Sequence, residues 1–263
     1  IGSVIALWVV AQQIGLDPWA SLFNVSIAYP SPIFTVLGNP TLTGNFLALL
    51  APLCLMFSAR RYRWGAFGLM VVAIMLTGSV ASLGAVWGAS VLVWSLQRRW
   101  RWVWSTFGLS LLALMGCWLW LPDSFMTNYL NPHGRWAIWQ TAMTFWAQHP
   151  LYAWIGYGAG AVGSMTTHGI WVYGFLHNDV LQWLFEFGIL GVILASLAAG
   201  QAGLTLRHLH WTGASTAWVG AAVAYGSLML TSFPMQIGSL LMVGVVIAAA
   251  VLAHCQPIGV RHA

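Results

Sequence analysis

Five polar side chains crowd into ten residues of an otherwise apolar stretch: His177, Asn178, Asp179, Gln182 and Glu186, within GFLHNDVLQWLFEFGILG (174–191). Asp179 and Glu186 are half of the four acidic residues in the chain. Ionisable side chains are costly inside a membrane helix and mark functional positions there. Residues 178, 182 and 186 stand at i, i+4 and i+8, which lays a polar stripe along one helix face. Such a face cannot point at lipid; it lines a cavity or pairs with other helices. His177 sits at the mouth of that stripe, placed for proton transfer because an imidazole titrates at about pH 6.5.

A second set of candidates lies upstream. Asn131 and Pro132 read as the cap and first residue of a helix. Trp136, Trp139, Met143 and Trp146 then step at 3, 4 and 3 residues, and Gln148-His149-Pro150 ends the run. This spacing predicts an amphipathic helix at a membrane interface. Arg135 falls in its first turn, where a cation opposes the helix dipole. An anion bound there would draw guanidinium and free N–H groups together; a merely solvated arginine is the alternative. GYGAG (156–160) follows. With no preceding strand and no GK[ST] after it, this is no nucleotide loop. Its backbone could form an N–H nest for phosphate or sugar oxygens through Gly156 and Gly158, or could simply be a loop. GNPTLTGNF (38–46) supplies Asn39 and Asn45 at the start of another apolar run.

The elements that must hold these residues are transmembrane helices. The 263 residues are 60% hydrophobic and 5% charged, where a soluble domain carries about 25% charged residues. Mean hydropathy is +0.80, and 18 tryptophans fit a chain with many membrane–water crossings. Apolar runs fall near 1–14, 41–58, 64–78, 82–97, 102–121, 178–206, 214–231 and 237–253. The third and fourth separate at Thr77-Gly78-Ser79, where small polar residues permit a turn. The expected fold is an all-α polytopic membrane protein of about eight spans, one transmembrane domain over 1–263, with a long loop at 122–177. The chain opens on Ile1 inside an apolar run, which suggests an N-terminally truncated protein.

All nine basic residues are arginines. With eight spans, Arg60, Arg61, Arg63, Arg98, Arg99, Arg101, Arg207 and Arg261 fall on one face, cytoplasmic by the positive-inside rule. Arg135 alone falls on the other, together with the 122–177 loop and His177. Nine dispersed arginines are too sparse for a nucleic-acid footprint. Cys54, Cys117 and Cys255 stand singly and read as small buried hydrophobes. His208 and His210, at i and i+2, face apart on a helix, and no acidic cluster or DxD occurs, so neither a metal nor another cofactor is expected.

HNDVLQWLFEFGILG (177–191) resembles the H-N-x-x-L-Q-x-x-x-E-x-G-x-x-G signature of the O-antigen ligase and polymerase superfamily. GRWAIWQTAM (134–143) is similar to its R-x-x-x-W helix, the G-x-G at 156–158 follows at the expected distance, and GNPTLTGNFLALLAPL resembles its G-N-P-N helix start. The resemblance implies a GT-C-like enzyme of the bacterial inner membrane. It would transfer glycan from undecaprenyl diphosphate to an acceptor on the periplasmic side, without metal or nucleotide. Arg135 would bind the diphosphate and stabilise leaving-group charge, and His177 would be general base toward the acceptor hydroxyl. Asn178, Gln182 and Glu186 would support or contact substrate, with Gly156, Gly158, Asn39 and Asn45 as further binding positions. Many members carry T-G-S-R at an outer helix end, a second diphosphate contact; here the stretch is Thr77-Gly78-Ser79-Val80, and valine cannot bind phosphate. His133 and His168 are candidates to compensate.

Within that superfamily a ligase with lipid A–core as acceptor leads, and a polymerase or protein O-oligosaccharyltransferase shares the same signature. The competing class is a proton-coupled transporter with Asp179, Glu186 and His177 as a relay. That class tends to show repeat symmetry, which this sequence lacks.

Overall fold

The computed structural model describes residues 1–17, 35, 37–108, 135–163, 174–207, 212–232 and 234–254. Asn131, Pro132, His133, His168, His208 and His210 lie outside the described residues. Among those described, every regular element is helical. In chain order they are α1 (Gly2–Gln13), α2 (Pro40–Leu50), α3 (Arg60–Leu76), α4 (Val80–Leu96), α5 (Arg135–Ala147), α6 (Pro150–Ile155), α7 (Asp179–Arg207), α8 (Gly213–Thr231) and α9 (Gly238–His254). A 3-10 stretch extends α2 over Ala51–Met56, another covers Pro234–Gln236, and residues 100–108 begin a further helix.

Among the described residues one helix is long and apolar enough to cross a membrane by length and composition, Asp179–Gln201, and only 22% of its apolar window is buried. A soluble core helix would hide that surface. Gly2–Gln13, Pro40–Met56, Val80–Leu96 and Gly238–Ala253 are shorter apolar helices. Leu194, Leu197, Val245, Val246 and Leu252 are all exposed, and apolar rows on an outer surface are what a lipid environment permits.

The described chain forms two compact units. The first comprises residues 1–106, 211–228 and 242–254. Its helix starts follow from local chemistry. Asn39 takes extended φ/ψ and its side chain accepts from the N–H groups of Thr41 and Leu42, with Pro40 at the first helical position. The turn expected at Thr77-Gly78-Ser79 is present: α3 ends at Leu76, Gly78 has φ 69°, and the Ser79 hydroxyl caps α4. Leu55, Val93, Trp94, Val103 and Ala217 form a buried apolar cluster in this unit.

The second unit comprises residues 107–210, 229–241 and 255–263. Its core gathers Ile138 and Ala142 of α5, Ala161, Val162, Leu176, and Phe185 of α7. This corrects the apolar stripe expected for α5. The buried line runs through Ile138 and Ala142; Trp139, Met143 and Trp146 flank it, and Trp136 is 61% exposed. Small residues let the helix approach closely, so the packing seam follows Ala142 rather than the large indoles.

The apolar run expected as one helix over 178–206 is broken. Gly188 adopts φ 66° and ψ −171° in the middle of α7. That conformation releases the carbonyls of Phe185 and Glu186 from the helical ladder, and buried backbone groups need partners. The partners are the N–H groups of Tyr157 (3.0 Å, to Phe185) and Gly158 (2.9 Å, to Glu186). Gly156 and Gly188 make the approach possible. A Cβ on Gly156 would collide with the Glu186 carbonyl, and one on Gly188 with that of Trp154.

Candidate functional site

His177 is built by its neighbours. Leu176, fully buried, is pinned on both backbone groups: its carbonyl accepts from Trp139 Nε1 at 2.8 Å, and its N–H donates to Gln182 Oε1 at 3.4 Å. Asn178 is pinned on the other side. Its Oδ1 accepts from the Leu181 N–H at 3.0 Å, a helix cap, and its Nδ2 donates to the Leu230 carbonyl at 2.8 Å. The residue between must span two fixed ends, and His177 does so at φ 54°. A non-glycine residue in that region is strained by roughly 1–2 kcal/mol, and such strain gathers where surrounding structure over-determines a functional group.

Arg135, the first described residue of α5, donates from Nη1 to the Thr231 carbonyl at 2.7 Å. Thr231 ends α8. A cation at its own helix N-terminus is unfavourable, but here it meets the carbonyl-rich C-terminus of another helix, where a cation is favoured. Leu230 and Thr231, consecutive at that end, are thus held by Asn178 and Arg135. Asp179 continues the pattern: its Oδ2 accepts from the Met235 N–H at 3.0 Å.

The two leading candidates sense each other. His177 has its pKa lowered from the ordinary value by burial first, and then by the positive charge of Arg135. Burial also lowers the Arg135 pKa from its very high ordinary value. The imidazole is therefore kept neutral at pH 7, the form able to accept a proton.

Gln182 Nε2 donates to Glu186 Oε1 at 3.1 Å, and both side chains are buried. Along the polar stripe of α7, Asn178 and Gln182 hold backbone groups around His177, and Glu186 pairs with Gln182. The nest reading of Gly156 and Gly158 is corrected too. The Gly156 N–H donates to the Tyr152 carbonyl at 2.7 Å, and those of Tyr157 and Gly158 are spent on α7. These glycines bolt a loop to a broken helix. Asn39 is a cap, as described above, and Asn45 is fully buried with Oδ1 accepting from Ser82 Oγ at 2.8 Å. Val80 opens α4 and is 49% exposed, without a polar atom to offer.

Sequence reasoning missed Thr231 and Gly188 as parts of this site, and it read Trp139 only as an apolar helix position and Asp179 only as a member of the polar cluster. An isolated glycine in an apolar helical run, as at 188, was the available signal. The others act through backbone groups, which spacing does not display. Among the described residues no three of His, Cys, Asp and Glu gather closely enough to hold a metal ion.

A helical chain with exposed apolar rows has the features of a membrane protein. Comparison with protein families matches residues 65–196, half of the chain, to Wzy_C, the O-antigen ligase family, and the chain belongs to that family. Its members are membrane glycosyltransferase-like enzymes, ligases and polymerases. A search of curated proteins finds no match.

Proposed function

We propose that this protein is a metal-independent glycosyltransferase of the bacterial inner membrane, its site facing the periplasm. It moves a glycan from undecaprenyl diphosphate to lipid A–core, as an O-antigen ligase. The observation that supports the reading is that Arg135 and Asn178, the neighbour of His177, hold the consecutive carbonyls of Thr231 and Leu230; the family signature pairs the same arginine and histidine, 42 positions apart in sequence.

The chemistry divides between them. His177, neutral, accepts the proton of the acceptor hydroxyl as that oxygen bonds to the anomeric carbon. The glycosyl–phosphate bond breaks, and the departing lipid diphosphate carries the electron pair and the negative charge. Arg135 meets that charge. With one N–H on Thr231, a guanidinium has about four more donors for phosphate oxygens. Leu176, Asn178 and Trp139 hold the imidazole backbone, so little reorganisation is needed as charge develops.

In a strain lacking its own ligase, the intact protein is expected to restore capped lipopolysaccharide, while His177→Ala and Arg135→Ala are each expected to lower transfer at least ~100-fold. Transfer in isolated membranes should survive EDTA. Normal capping by both variants would remove the mechanism; loss on chelation with rescue by magnesium would require a metal site. Polymerase or protein-glycosylating activity is read from the same assay by the acceptor that becomes labelled.

A further inference from the structure

A pocket in the first unit, lined by arginines, has no part in the reading above. It encloses about 230 Å³ and is lined among others by Arg63, Trp64, Trp94, Gln97, Arg99 and Gly213. A water's share of liquid volume is about 30 Å³, so the space accommodates a phosphate group and several waters. Among the described residues no carboxylate is in the lining: Asp17, Asp179 and Glu186 all lie elsewhere. Two arginines therefore share a recess in which no described residue supplies an acidic counter-charge.

Each cation is placed by local structure. Arg63 donates from Nε to the Phe57 carbonyl at 2.9 Å and from Nη2 to that of Ser58 at 3.4 Å, which fixes the orientation of its planar head. Arg99 follows the end of α4. The Arg98 N–H donates to Ser95 O and the Arg99 N–H to Trp94 O, with Arg98 at φ 54°, a position glycine usually fills. Gln97 anchors the turn through Nε2 to Thr216 Oγ1 at 3.0 Å.

The start of α8 completes the recess. Thr212 and Ser215 cap each other: the Thr212 N–H donates to Ser215 Oγ at 2.8 Å and the Ser215 N–H to Thr212 Oγ1 at 3.1 Å. The first two helical residues, Gly213 and Ala214, remain in the lining with their N–H groups outside that exchange. Arginine forks, helix N–H groups and the positive end of a helix dipole all favour the same ligand, an oxyanion.

We infer that this pocket binds a phosphate-bearing anion between Arg63, Arg99 and the start of α8, and that the source is an anionic phospholipid headgroup. The surrounding indoles favour lipid over free phosphate. Trp64 stacks on Trp102 at 5.2 Å, Trp94 lies 6.1 Å from Trp102, and Trp100, Trp102 and Trp104 are exposed. Exposed tryptophans of this kind sit at headgroup depth. The arginine pattern assigns this face to the cytoplasmic leaflet, where anionic lipids concentrate basic segments. The inference does not depend on glycosyl transfer, and its test reads binding alone.

The test is thermal unfolding of the purified protein in neutral detergent with phosphatidylglycerol, phosphatidylcholine or inorganic phosphate added. Phosphatidylglycerol is expected to raise Tm by roughly 5 °C at saturation, and phosphatidylcholine by much less. Arg99→Gln, whose own Tm without lipid should match the parent, is expected to lose most of the shift. Arg61→Gln, on the same helix as Arg63 but outside the pocket, should retain it. A shift with phosphatidylglycerol alone identifies the headgroup, and an equal shift with inorganic phosphate identifies a free-anion site. No shift with either, or an undiminished shift in Arg99→Gln, would overturn the assignment.

Discussion

Two buried polar clusters in this molecule look alike in composition and differ in what they hold. In the first unit Asn45 accepts from Ser82 Oγ, which pairs with Ser79 Oγ at 2.6 Å. Thr35 and Thr43 share a hydrogen bond at 2.7 Å, and Gln12 accepts from the Thr35 N–H. These groups largely bond one another, with Gln12 donating on to Asp17 at 3.0 Å, and they stitch α2 to its neighbours. In the second unit Asn178, Asp179, Gln182 and Trp139 mostly hold main-chain groups of Leu230, Met235 and Leu176. They fix a strained backbone, and a titratable ring stands at the centre of it. Burial alone cannot separate the two cases, because any buried polar group needs a partner. What separates them is where the bonds go: mainly between side chains in the first, and mainly to main chain around the strained His177 in the second.

The largest expected effect sharpens the second cluster. Gly188→Ala would force a side chain against the Trp154 backbone at a positive φ. A loss of about 3 kcal/mol, hence roughly 8 °C in Tm, is expected with loss of transfer. Gly158→Ala meets nothing within 4 Å and should lose less, because only its positive φ is strained. Equal effects would mean the loop is not bolted to α7.

Next in size is Asn45→Leu, which removes the acceptor of the Ser82 hydroxyl. It should cost about 1–3 kcal/mol, read as a lower Tm, with transfer per folded molecule unchanged. A variant that unfolds normally but cannot transfer would place Asn45 in the site and erase the contrast between the clusters.

The contrast also explains what could be read from sequence. Asn39-Pro40 and Thr77-Gly78-Ser79 carry local chemistry, a cap and a turn, so the helix boundaries they set were legible. His177 and Arg135 were legible as the polar and cationic exceptions to an apolar pattern. Gly188 was not, since its neighbours keep a continuous apolar run and the break serves a distant loop. The glycines of GYGAG suggested an anion nest because sequence shows which N–H groups could turn outward, not where acceptors wait for them. Nor does the sequence display that Asn45 accepts from Ser82, 37 residues away.

A smaller effect concerns pH. The neutral imidazole is the active form, so transfer should fall as pH drops through the lowered pKa of His177, and should not yet fall at the ordinary histidine value. In Arg135→Gln the charge contribution disappears while burial remains, so the acid limb should move upward. Carbethoxylation of the His177-containing peptide, quantified by mass spectrometry across pH, reads the same titration without activity. A limb unmoved by the substitution would uncouple the two residues.

The most direct measurement is a double-mutant cycle on kcat/KM for glycan transfer from a lipid diphosphate donor, using His177→Ala, Arg135→Ala and both together. If the residues form one site, the double variant should be barely slower than the worse single variant, because groups acting as a unit are far from additive. Losses that multiply independently would contradict a shared site.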